Sequence, residues 1–148
     1  PVLCGSLHGV LPAYTRQAFL DTTGGFLREL GQLVRDPVCR TLVVAGVDLC
    51  HVGPKFGHPE SAAVLEKAAS AHDATLLECL SAGDPDGFWR ESARVSDGFN
   101  VCGFSALACL PEILPGCRVR VLDYQMWHEA PTSSAVSFAA AVFEPLPE

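Results

Sequence analysis

The stretch Thr41–Glu60, TLVVAGVDLCHVGPKFGHPE, decides how this chain is read. Its opening, TLVVAGV, is a β-branched apolar run short enough for a buried strand. The run ends in Asp48, Cys50 and His51, followed by Gly53, Pro54 and Gly57. Three reactive side chains therefore sit where a strand gives way to a loop. In open α/β sheets, ligands bind outside the carboxyl ends of the strands, where loops converge and helix N-termini point. Asp48 and His51 on one turn can fix a tautomer between them, serve as acid and base, or offer a carboxylate and an imidazole to a metal. The same spacing also suits a structural role, with Asp48 capping the turn and His51 a satisfied, half-buried polar residue.

Upstream, PVLCGSL gives a short strand-like run over Val2–Leu7. Phe26, Leu27, Leu30, Leu33 and Val34 then form a helix face ended by Pro37, ahead of the strand over Arg40–Val47. Strand, helix, strand in this length is the βαβ signal of a parallel pair. Downstream, Pro59-Glu60 opens a helix over Ala62–Ala71, and Asp73 reads as the cap of a second one, ATLLECLSA. Asp84-Pro85 is an N-cap and first-turn pair for a third, carrying Phe88 and Trp89. Phe104, Leu107, Leu110, Ile113 and Leu114 have helical spacing, with Pro111 expected to kink or end that helix. The strand-like runs RVRVLDYQMW and SSAVSFAAAVF, with strands expected over Arg118–Gln125 and Val136–Phe143, are separated by HEAPT, a hairpin signal. The reading is a three-layer α/β fold with a mixed, mostly parallel sheet and a C-terminal antiparallel hairpin.

The 148 residues fit one domain, which at this size buries roughly 68–70% of its unfolded surface. Apolar residues at 49% against 18% charged exclude disorder as the main state. Ten basic and 17 acidic residues give a formal charge of −7 with no Lys/Arg cluster, which argues against nucleic acid and anionic membrane as partners. No apolar run approaches the ~18–20 residues of a membrane span, and PVLCGSLHG lacks the pattern of a signal peptide, so the chain reads as cytoplasmic. The seven cysteines are scattered without a C-x-x-C, which speaks against a disulfide framework or a zinc ribbon. Most read as small core hydrophobes. Cys50 and Cys102 are the exceptions. Cys102 heads the helix that follows SDGFN, where orphan N–H groups favour an anionic sulfur, either a nucleophile or a soft metal ligand; it also suits a residue that merely starts a helix. His8, His58, His72 and His128 read as surface or turn residues.

Several segments resemble one family. VVAGVDLCHVGPKFG is similar to the S/G-x-D-x-[SC]-H-x-G segment of the Memo family, and NVCGFSALACL resembles its Cys-Gly helix start. DYQMWHEAPTSSAVSFAAAVF resembles its closing Tyr-x-Gln … Ser-x-Val-Ser-[YF]-Ala-Ala hairpin, and PVLCGSL its Pro-[IV]-[LV]-x-G strand. The resemblance implies a fold related to the class III extradiol dioxygenases, which use a non-haem iron. It also implies a cleft joining two histidines from the first half of the family's chain to a cysteine from the second. Cys102 matches that cysteine as a metal ligand, and Asp48 and His51 match other polar residues of the cleft. Two functions follow. One is a metal-dependent redox or dioxygenase-like enzyme in which Cys102 binds the metal and His51, oriented by Asp48, moves a proton. The other is a non-catalytic module that takes a small molecule or a peptide in the same cleft. The dioxygenases have a carboxylate as third ligand, so a cysteine there departs from their chemistry. Because nothing in the chain matches the histidine-bearing half, the expectation is a single Memo-like domain over residues 1–148, the C-terminal half of a longer family protein. Iron or copper would then belong to the complete protein, with none held tightly by this chain alone. The missing N-terminal half or a homo-oligomer partner would cover its apolar surface.

Overall fold

Thr15 starts the first helix, α1 (Arg16–Val34), its hydroxyl accepting from the Ala18 N–H at 3.2 Å in the computed structural model, which describes residues 1–7 and 9–145. The helix begins well before Phe26, and Gly24 and Gly25 lie inside it. α2 (Ala62–Ser81) runs unbroken through His72 and Asp73. Asp73 is therefore not a cap, and its side chain points into the core. α3 (Pro85–Val95) starts as the sequence reads: the Asp84 carboxylate accepts from the Gly87 N–H at 2.8 Å, and Pro85 supplies the first turn. α4 (Phe104–Ile113) contains Pro111 and still reaches Ile113, since so near the end the missing N–H forfeits only one helical bond.

Aromatic rings hold these helices together. Phe88 of α3 stacks on Phe104 of α4 with centroids 4.8 Å apart, Trp89 meets Phe104 edge-on at 4.9 Å, and Phe19 of α1 packs on Trp89 at 5.3 Å. All four are buried, so α1, α3 and α4 share one apolar centre.

The sheet corrects the sequence-based expectation. It has three strands, β1 (His51–Val52), β2 (Cys117–Glu129) and β3 (Ser134–Pro145), in the order β1-β3-β2, and every pairing is antiparallel. The mostly parallel sheet is not there. Val2–Leu7 and Arg40–Val47 form no strand, and Leu3, Leu42 and Val44 are 97%, 85% and 78% exposed. The physical reason is that β-branched composition describes a residue's fit to a pleated surface and does not supply a neighbouring strand. Residues 41–47 instead form one wall of an apolar groove of about 560 Å³, facing β3 from Ala139 to Phe143 and Leu107 and Leu110 of α4. The C-terminal hairpin is present, turning through a short 3₁₀ segment, Ala130–Thr132. α2 covers one face of the hairpin, while Trp127 and Phe138 on the other are 57% and 39% exposed, so no third layer closes over it among the described residues.

The candidate metal centre

Pairing begins one residue after Asp48. The Leu49 N–H donates to the Ser137 carbonyl at 2.9 Å, the Ser137 N–H to the Cys50 carbonyl at 2.9 Å, and the Cys50 N–H to the Ser137 hydroxyl at 2.8 Å. Asp48 and His51 thus bracket the start of an antiparallel strand rather than the end of a parallel one. The His51 N–H reaches the Phe99 carbonyl at 2.8 Å, and the Asn100 amide donates to the carbonyls of His51 and Phe56, both at 3.2 Å. These bonds tie the loop before α4 to β1.

The loop then closes on Asp48. The Gly103 N–H donates to the Asp48 carbonyl at 3.0 Å, and a Cβ at position 103 would lie 2.3 Å from that oxygen and 2.8 Å from Cγ2 of Val47. Only glycine permits this approach. It brings Cys102 beside Asp48, with Sγ 3.8 Å from the same carbonyl. Cys102 precedes the Gly103 cap, and the Gly103 and Phe104 N–H groups are spent on Asp48 and Val101, so the helix start offers its sulfur less than the sequence suggests.

One oxygen, one nitrogen and one sulfur converge here: ligand atoms of Asp48, His51 and Cys102 all lie within 4.8 Å of one another. The Leu49 carbonyl can only accept, so His51 Nδ1 carries the proton of their 3.1 Å bond and Nε2 presents its lone pair to the cleft. That nitrogen stands 3.8 Å from Oδ2 of Asp48, two electron-rich atoms facing each other across a gap that suits a proton or a cation. Phe56 meets the His51 ring edge-on at 4.9 Å and fixes its plane. Ligands of a tetrahedral ion with bonds of about 2.0–2.3 Å stand roughly 3.3–3.7 Å apart, so a contraction of about 1 Å would serve. Asp48 is 52% exposed and His51 16%, so the three can adjust. This is a potential metal site. A cavity of about 240 Å³ opens beside Cys102, bordered by Tyr14, Asp97, Asn100 and Ser105.

The model of the family described as Memo-like protein matches residues 9–142. The chain belongs to the Memo family. It is 36% identical over 104 residues to the MEMO1 family protein TTHA0924 of Thermus thermophilus, a stretch covering 68% of this chain and 30% of that protein. A MEMO1 family protein of Aquifex aeolicus is 31% identical over 105 residues, covering 69% of this chain and 27% of the relative. The chain thus matches less than a third of the length of either curated relative. The Memo match nevertheless extends through nearly the whole chain, which corrects the expectation that it answers only to a C-terminal half of the Memo domain.

Cys50, Cys4, Cys39 and His72 are placed differently from their reading, while His58 and His128 are turn and surface residues as read. Cys50 is fully buried, its thiol donating to Asp73 Oδ1 at 3.0 Å; burial first, then the Asp73 charge, push that thiol far above the ordinary range, so it takes no part in the cleft. Cys4 and Cys39 are exposed rather than packed in the core. His58 locks a turn, accepting from the Gly53 N–H and donating to the Gly98 carbonyl at 2.8 Å, and His128 pairs with Glu66 on the surface. His72 is buried against Glu91 at 2.7 Å, and His8 lies outside the described residues. Asp73 is the residue that sequence reasoning missed: buried at 0% exposure, it accepts from Cys50, Tyr124 and Ser137. A signal existed, because Asp73 falls on the apolar stripe Ala69, Leu76, Leu80 once α2 is read as a single helix.

Proposed function

We propose that the cleft is a metal-dependent centre of redox or dioxygenase-like type in which Cys102 holds the ion and Asp48 and His51 serve the chemistry. Bound iron or copper would supply Lewis acidity and one-electron chemistry there. His51 takes a proton at Nε2, the nitrogen that faces the cleft, and returns it from the same atom. Its other nitrogen stays bound to the Leu49 carbonyl, so the ring does not turn. Once Nε2 is protonated, the Asp48 carboxylate at 3.8 Å steadies the imidazolium. The convergence of the three ligand atoms within 4.8 Å carries this reading. Cobalt(II), titrated into the full chain, tests it. A thiolate-to-cobalt absorption band should appear in the wild type and vanish in Cys102→Ser; no band, or a band that survives the substitution, would overturn it.

The cavity beside Cys102 supports a second reading, a non-catalytic module that holds a small molecule or a peptide side chain. Partner and setting follow from the rest of the surface. The apolar groove between residues 41–47 and β3 is covered by a second copy of the chain, since contiguous apolar surface of this extent favours association. Light scattering at rising concentration should report a dimer, weakened by Val44→Lys; a monomer throughout would refute it. Seven free cysteines support a reducing, cytoplasmic setting, and the acidic balance speaks against nucleic acid or membrane as partners. No helix among the described residues is long and apolar enough to cross a membrane.

A further inference from the structure

Asp73 stands outside the cleft, yet its bonds lead to it. One carboxylate oxygen, Oδ1, accepts from the Cys50 thiol at 3.0 Å. The other, Oδ2, accepts from the Tyr124 hydroxyl at 2.8 Å and from the Ser137 hydroxyl. No cation is among these partners, so three neutral donors carry the buried charge. Because the single Ser137 hydroxyl proton is committed to Asp73, its oxygen is free to accept the Cys50 N–H at 2.8 Å. Cys50 is therefore held through its thiol, its N–H and its carbonyl, two of these directed by Asp73. The next residue is His51.

We infer that Asp73 is a positioning residue for the cleft: by polarising Ser137 and holding the Cys50 thiol, it fixes the strand start that presents Asp48 and His51 to Cys102. The inference rests on reading that cleft as a ligand-binding centre. Tyr124 provides the contrast, since it donates to the same carboxylate but makes no bond to residues 48–51. A hub that merely stabilises the core would treat all its donors alike. A hub that aims the cleft would not.

The test compares Asp73→Asn, Ser137→Ala and Tyr124→Phe in the full chain by three readouts. Cobalt(II) affinity reports the centre. The proton NMR shift of the His51 ring, set by the ring current of Phe56 edge-on at 4.9 Å, reports the position of the imidazole without any metal. Urea unfolding reports stability. Asp73→Asn and Ser137→Ala should weaken cobalt binding by about 10–100-fold and move the His51 signal, because partners behind a ligand orient it. Tyr124→Phe should lower stability with the His51 signal and the cobalt affinity unchanged. If all three variants shift both readouts in proportion to lost stability, or none moves the His51 signal, the inference is overturned. Should Asp73→Asn not fold, the contrast between Ser137→Ala and Tyr124→Phe decides alone. A wild type that takes up no cobalt would sink the metal reading and leave the His51 signal to judge the positioning role.

Discussion

Replacing Gly103 with alanine strikes the cleft at its tightest contact. Gly103 has φ −76 and ψ −7, which alanine adopts freely, so the effect comes from contact and not from backbone strain. The new Cβ would lie 2.3 Å from the Asp48 carbonyl oxygen and 2.8 and 2.9 Å from the Val47 side chain, where ordinary contact starts at 3.4 Å. Residues 47–48 and the head of α4 must therefore part by about 1 Å, and the 3.0 Å bond from the Gly103 N–H is lost. Overpacking of this kind costs about 1–3 kcal/mol. The lost hydrogen bond adds about 0.5–1.5 kcal/mol. A total of about 1.5–4.5 kcal/mol should lower Tm by on the order of 10 °C in a chain of this size. The same displacement carries Asp48 away from Cys102, so cobalt(II) affinity should fall together with Tm. Calorimetry and the cobalt titration measure the two effects on one preparation. If Gly103→Ala melts within a degree or so of the wild type and keeps its cobalt band, the close approach is not what assembles the cleft.

Alkylation of the native chain with iodoacetamide near neutral pH should label Cys102, Cys4 and Cys39 and spare Cys50, which should react only once urea unfolds the protein. Native labelling of Cys50 at the rate of Cys102 would contradict its burial. A second outcome concerns acid. Hydrogen bonds from Arg94, and then from His72, hold the Glu91 carboxyl below its ordinary value of 4.5. The unfolded chain then takes up the proton first, so this contribution to stability is complete above the ordinary carboxylate range and fades as pH falls through the lowered value. The effect is modest, because the Arg94 side chain is 65% exposed. The urea midpoints of wild type and Glu91→Gln should converge as pH drops from neutral toward about 3; a constant gap would exclude the coupling.

What the sequence made legible was local. Asp84 and Pro85 announce α3 because an N-cap and a first-turn proline act within one turn, whatever surrounds them. The hairpin was readable because two β-prone runs flanked a short polar break. Arg40–Val47 failed for the converse reason: an apolar, β-branched run says that a segment could be a strand, while pairing depends on what lies beside it. Asp48 and His51 drew attention by spacing, but the third member of the cluster arrives from residue 102, and only the family resemblance linked it to them in advance. The Gly103 contact that closes the cleft leaves no mark in sequence spacing. Asp73 was misread because a charged residue between apolar stretches more often ends a helix than enters a core, and its three donors come from Cys50 just before β1, from β2 and from β3 across the fold.

A single irregularity of the sheet joins the fold to that buried carboxylate. Val121 pairs with Ala141 and Asp123 with Ala140, so Leu122 is an extra residue, a β-bulge in β2. Before it, Val119 and Val121 face α2; after it, the inward positions become Tyr124 and Met126. Without the bulge the strand would keep its phase and turn Asp123, Gln125 and Trp127 toward α2, with Tyr124 facing away, since a slip of one residue exchanges the two faces. Asp73 would then lose the Tyr124 hydroxyl and meet a second carboxylate at the same buried surface. An ionised carboxylate in an apolar interior costs several kcal/mol unless hydrogen bonds compensate it, so that register is excluded by the charge as well as by the packing of Trp127. The bulge is thus what makes a buried acid tolerable in α2, and that acid in turn holds Cys50 next to His51. β2 thus steadies the buried acid through Tyr124, while the bonds of that acid to Cys50 and Ser137 carry its hold on the strand start.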